Sequence, residues 1–288
     1  MKISIKYILL TALTIVILLL RQYAGKVAFL LLTLTLSSGF ISGDKYKVVT
    51  CYGTGEELQF RVHYGMINAG EATLEVGEKL YLVNEKVCYK ASVTGKSTGA
   101  FDFMLKIRDT WGSYIDTVSH LPQKSFRNVE EGKYRLKETS IYNYKQGVIN
   151  IDRETRDSKE KLVFKIPLDV QDIVSGYYYL RSVEYTKYRI GDTIGIQAFF
   201  DNKLYDFRVR YMGKCQLECK FGTIAALKVN PIMPPNGFFK DGNAVNMWLS
   251  DDRNRIPLKI EAQLRLGSVD MDLKDYKRLR YPINFKKD

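Results

Sequence analysis

At 288 residues, with 45% hydrophobic and 26% charged side chains, the chain has enough apolar material for a full core, which excludes wholesale disorder. Length alone does not require two domains, since all-β domains of about 200 to 250 residues are common. The formal charge of +12 falls to +8 outside residues 1–43, which carry Lys2, Lys6, Arg21 and Lys26 and no acid. The remaining basic residues are scattered beside acids, as on solvated strand faces; attraction to anionic headgroups or acidic polymers is the alternative, and no nucleic-acid-recognition motif is present.

Two apolar runs open the chain, Ile8 to Leu20 and Val27 to Phe40, separated by Arg21, Gln22 and Lys26. Neither reaches the ~20 residues of a spanning helix, while both match a signal-peptide core of roughly 7 to 15 residues. Ser37 and Gly39 supply the small side chains that signal peptidase accepts. Residues 1–43 therefore read as a signal peptide, with Arg21 to Gly39 as the export signal and Met1 to Leu20 as an upstream extension. The alternative is an uncleaved anchor that keeps the chain in contact with a membrane. Both send residues 44–288 out of the cytoplasm, to the periplasm or cell envelope.

From Glu57 onward the pattern alternates with the period of a β-strand. Leu58, Phe60, Val62 and Tyr64 oppose Glu57, Gln59, Arg61 and His63, and Ala72, Leu74 and Val76 continue after a turn expected at Asn68 to Gly70. Phe101, Phe103, Leu105 and Ile107 read as another strand. Tyr134, Leu136, Tyr142 and Tyr144 follow a turn at Glu131-Gly132, and Leu162, Phe164 and Ile166 end the first half. Asp169 to Ser182 is the one amphipathic helix, because Val170, Ile173, Val174, Tyr177 and Tyr178 recur at i, i+3, i+4, i+7 and i+8. Asp169 is its expected cap, Asp172 a favourable first-turn charge and Arg181 a favourable last-turn cation. Strands resume at Ile194, Ile196, Ala198 and Phe200, turn at Asp201-Asn202, and return through Tyr205, Phe207, Val209 and Tyr211. The loop from Asn230 to Gly242 carries Phe238 and Phe239 as a rim or lid. Leu258, Ile260, Ala262, Leu264 and Leu266 then turn at Gly267 into Val269, Met271 and Leu273.

This order predicts an all-β fold with one helix, an antiparallel meander closed into a barrel-like or folded-sandwich body that occupies 44–288 as one domain. An integral outer-membrane barrel is set aside because of the helix and the charged Lys286-Lys287-Asp288 end.

Cys51, Cys88, Cys215 and Cys219 are even in number, as in a disulfide framework. Cys215 and Cys219 share one strand face about 13 Å apart, too far for a bridge, and read as small apolar side chains. Cys51 with Cys88 stays open as a pair. His63 and His120 lack zinc-ligand spacing to any cysteine, so no metal ligand is assigned. Gly95, Ser97 and Gly99 spell a nucleophile-elbow pattern, but a strand is expected after it where the motif needs a helix. No catalytic, cofactor-binding or metal-binding residue is therefore assigned.

The blocks YGMINAGEATLEV at Tyr64 to Val76, DVQDIVSGYYYLR at Asp169 to Arg181 and MWLSDDRNRIPLKIEAQLRLGSVDMDL at Met247 to Leu273 resemble the exported bacterial domain-of-unknown-function 3108 family, from about Leu58 to Tyr276. The resemblance implies a secreted or periplasmic barrel-like domain and supplies no catalytic residue. Three functions follow as expectations: a non-catalytic binding or scaffold domain for an amphiphilic ligand or surface polymer; a glycan hydrolase using Asp109, Asp172, Asp251 or Asp252; or an assembly partner of other envelope proteins. The partners expected are thus a lipid, a glycan or an envelope protein, with no nucleic acid and no cofactor.

Overall fold

The computed structural model describes residues 50–233 and 242–286, so the two N-terminal apolar runs read as a signal peptide or anchor, and Phe238 and Phe239, lie outside the described residues. Fourteen strands follow in chain order: β1 (Glu57–Tyr64), β2 (Ile67–Val83), β3 (Lys86–Ser97), β4 (Arg108–Asp116), β5 (Pro122–Glu131), β6 (Tyr134–Asn143), β7 (Val148–Thr155), β8 (Lys159–Lys165), β9 (Thr193–Phe200), β10 (Lys203–Cys219), β11 (Gly222–Pro231), β12 (Val245–Ser250), β13 (Pro257–Gln263) and β14 (Ser268–Lys277). All belong to one sheet of order β8-β7-β6-β5-β4-β3-β2-β1-β14-β13-β12-β11-β10-β9. Every ladder is antiparallel, as the alternation predicts, but the sheet stops short of closure: β8 and β9 are its two edges.

Alternation becomes burial wherever strands curl around the core. Leu58, Phe60 and Val62 of β1 are buried against Met271 and Leu273 of β14 and Leu258 and Ala262 of β13, while Arg61 stays exposed. The first turn lies at Gly65-Met66, not Asn68 to Gly70. Gly65 accepts the left-handed backbone the hairpin needs, at φ 55°, and Asn68 to Gly70 pair within β2 past a register shift at Val62/His63.

Among the described residues two short α-helices replace the single one expected. Helix α1 (Gly99–Met104) occupies the first part of the presumed Phe101 to Ile107 strand. The alternating residues Phe101, Phe103, Leu105 and Ile107 mimic a strand, but only the first two lie in the helix, where Phe101 alone is buried and Phe103 is 95% exposed. The turn is fixed instead by Asp102, which accepts from Ser97 Oγ at 2.6 Å and pairs with Arg108 at 2.7 Å.

Helix α2 (Ile173–Ser182) starts later than Asp169. Gln171 is drawn away to β9: its N–H donates to Gln197 O and its carbonyl accepts from Phe199 N–H, both at 2.8 Å. Asp172 therefore caps the helix, accepting from Ser175 N–H at 2.8 Å, while Ser175 Oγ accepts from Asp172 N–H at 2.9 Å. Val174 and Tyr178 are buried as expected, and the helix packs on β3, β4 and β9. Among the described residues no helix is long and apolar enough to cross a membrane.

The gap between the two edges is bridged by side chains. Phe164 of β8 and Phe199 of β9 bring their rings to 5.5 Å, and the Gln171 bridge covers part of the β9 edge, where bare N–H and C=O groups would otherwise invite pairing with another chain.

Candidate functional site

Three places concentrate polar or aromatic side chains. The first is the end of α2. Arg181, expected as a favourable last-turn cation, is fully buried, with Nη1 at 2.6 Å from Glu56 Oε1 and Nη2 at 2.9 Å from Oε2. Its remaining donors reach the carbonyls of Asn254 and Cys51, and its guanidinium lies over the rings of Tyr52 and Tyr178 at 5.5 and 5.3 Å. Burial works against the charge; Glu56 overrides it and holds the Arg181 pKa well above its ordinary value. The assembly pins the helix to β1 and to the β12–β13 turn. Each nitrogen of the fork is engaged within the protein, and the buried guanidinium faces no solvent from which a ligand could reach it.

The second is the inner side of the seam. Arg127 Nε lies 2.8 Å from Glu138 Oε1 and its Nη2 3.2 Å from Asp201 Oδ1. Arg153 Nε reaches Glu138 Oε2 at 2.6 Å, and its Nη2 donates to Asn202 at 2.7 Å. Strands β5, β6 and β7 are thereby tied to the β9–β10 turn across the open edge. Beside this network a cavity of about 40 Å³ is lined by Trp111, Ser125, Tyr142 and Asp172 among others. Asp172 accepts from Ser113 Oγ at 2.7 Å, and burial raises its pKa to about 6. Trp111 Nε1 has no hydrogen-bond partner in the protein. A space of this size suits a few waters and no organic ligand.

The third is the outer face of β2 to β8. Cross-strand register sets Lys90, Tyr114 and Lys124 side by side. Tyr81, Tyr114 and Phe126 form a chain of rings with centroids 5.4 and 6.2 Å apart. Phe126 lies directly over Gly112, where any Cβ would collide with its ring. From Phe126 a groove of about 560 Å³ runs across β5 to β8. Its lining comprises three successive rows. The middle row, Arg127, Glu138, Arg153 and Glu160, sends its first three side chains into the seam, so the walls come from Phe126, Thr139, Asp152 and Lys161 on one side and Asn128, Lys137, Glu154 and Lys159 on the other.

The acids proposed for hydrolysis do not come together. Asp109 accepts from Glu130 N–H at 3.0 Å on β4, with burial raising its pKa to about 6. Ser113, which holds Asp172, lies four residues along β4 from Asp109, a separation of about 13 Å and beyond the roughly 5 to 9.5 Å such chemistry needs. Asp251 pairs with Lys214 at 2.7 Å, and Asp252 closes its own turn through Ser250, Asn254 and Arg255. A helix does follow Ser97, contrary to expectation, but its hydroxyl serves α1: it donates to Asp102 and accepts from Ile107 N–H. His120 follows the far end of β4, about 26 Å away along the strand. His63 lies 3.8 Å from Asp272 on the outer face. The four cysteines form no disulfide, and among the described residues no three metal-ligating side chains converge.

Sequence reasoning missed the burial of Arg181, the seam network and the lysine–tyrosine row. Each depends on register or on contacts between distant segments.

An almost wholly antiparallel sheet curled around a core, with a helix packed on β3, β4 and β9, defines a β-barrel-like protein. The solved structure of a beta-barrel-like protein of domain of unknown function DUF1849 from Brucella abortus is similar, with a TM-score of 0.52 at 8% identity, covering 78% of this chain and 97% of that one. The chain belongs to the protein family of unknown function DUF3108, whose profile matches residues 59–274. No curated protein matches it.

Proposed function

We propose that this is an exported, non-catalytic envelope protein that binds an extended surface polymer on the outside of its barrel-like body, rather than an amphiphile within it. The observation that carries this reading is one of volume: the inner cavity at the seam holds about 40 Å³ and the outer groove about 560 Å³. Small-ligand sites typically need about 300 to 1,000 Å³. The paired apolar runs of the leader support export. The test incubates the purified full chain with envelope lipid and glycan extracts and identifies retained species by mass spectrometry. Retained glycan without stoichiometric lipid is expected; a stoichiometric lipid overturns the proposal.

A second reading, an assembly partner of envelope proteins, draws on the exposed apolar residues Met66, Ile67, Phe103 and Leu266. Co-purification of a defined partner after gentle solubilisation supports it, and loss of every partner argues against it.

A further inference from the structure

We infer that the outer face of β2 to β6 selects an acidic glycan, one carrying carboxylate or phosphate groups on its sugars. This rests on the reading that a polymer binds outside the barrel-like body. Several strand lysines are neutralised locally: Lys96 and Lys274 pair with Glu71, Lys214 with Asp251, Lys259 with Glu261 and Lys277 with Glu57. Lys79, Lys90, Lys124 and Lys137 form no ion pair among the described residues. Three of them stand over rings instead: Lys79 over Tyr81 at 5.4 Å, Lys90 over Phe126 at 5.6 Å and Lys124 over Tyr114 at 5.7 Å.

The stripe therefore combines uncompensated positive charge with partly exposed aromatic surface. A pyranose offers complementary chemistry, an apolar C–H face for a ring and an acidic substituent for the ammonium beside it. Gly112 matters here because its missing side chain lets the Phe126 ring sit directly over β4 and keeps the platform continuous with the groove. Within the groove, Thr139, Asp152 and Glu154 supply acceptors for sugar hydroxyls. A glycan offers hydroxyl donors to these acceptors on every sugar, whereas the backbone of single-stranded DNA offers none, which favours a glycan although both stack on aromatic rings.

The experiment titrates the full chain with polygalacturonate, neutral dextran and a single-stranded oligonucleotide at low and high salt. Polygalacturonate is expected to bind, to weaken with salt and to exceed the other two. Lys90→Gln/Lys124→Gln is expected to weaken it about tenfold, the loss of one or two charge-assisted contacts. Lys90→Arg/Lys124→Arg retains binding, and unchanged thermal unfolding of both variants shows that the fold is intact. Equal binding of dextran, or no effect of the glutamine pair, overturns the acidic selectivity while leaving polymer binding standing. Tighter binding of the oligonucleotide overturns the glycan assignment, and failure of every polymer overturns both readings.

Discussion

Glu56, one residue before β1, and Arg181, on the last turn of α2, meet across 125 positions of sequence in a bidentate ion pair that solvent does not reach. Removing one partner strands the other charge in the interior. Arg181→Met is expected to destabilise the protein by about 3 to 5 kcal/mol, and Glu56→Gln comparably, in urea unfolding. The double variant Glu56→Leu/Arg181→Met loses less than the sum, because no unpaired charge remains. Additive losses would show that the pair is not coupled.

Asp172 gives a pH dependence with a definite sign. Its folded-state pKa, about 6, lies above the ordinary carboxylate value of 3.8, so its contribution is fully present below pH 3.8 and is lost as pH rises through 6. Asn caps a helix as well as Asp and carries no charge. The stability of Asp172→Asn relative to the native protein should therefore improve between pH 4 and 7, by up to roughly 3 kcal/mol. A difference in Tm that stays flat across that range contradicts the assignment.

Gly112 and Phe126 make a steric prediction. Gly112→Ala forces the Phe126 ring off the sheet, at a cost of about 1 to 3 kcal/mol. Gly112→Ala/Phe126→Leu should recover much of that loss. Chemical denaturation of the two variants decides it, and a double variant no better than the single one refutes the contact.

The seam predicts a local effect. Glu138→Gln removes the charge that holds both Arg127 and Arg153, costing about 3 kcal/mol. Hydrogen exchange should accelerate first at the β9–β10 turn and the β8 edge, ahead of α2. Uniform acceleration throughout the protein would mean that the network does not act as a latch.

Thiol chemistry offers a simple check. Burial raises the pKa of both Cys51 and Cys88, whereas Cys215 and Cys219 are half-buried on β10. Iodoacetamide applied to the native protein should modify the second pair first, and all four should react after denaturation without reductant.

Much of the sheet is legible in the residues themselves. Leu258, Ala262, Val269, Met271 and Leu273 alternate with polar neighbours and are buried as that pattern requires. Helix α1 was hidden because four apolar residues at period two satisfy a strand template, and what decides the conformation is a bond from Ser97 to Asp102. The fate of Arg181 was hidden for a different reason: a last-turn cation normally faces water, and its partner lies in another part of the chain. The lysine–tyrosine row becomes visible only when the registers of β3, β4 and β5 are fixed together, since no single strand contains more than one lysine of the Lys90–Tyr114–Lys124 trio.

The strand order also dictates how the chain must assemble. Every ladder joins consecutive strands except β1 with β14, where Glu57 meets Lys277. Two runs of hairpins, β1 to β8 and β9 to β14, thus grow from local contacts, and a single long-range zipper mates them. Docking of α2 between the runs follows that step, so kinetic traps should gather at the β1–β14 junction rather than at the slit where the sheet ends.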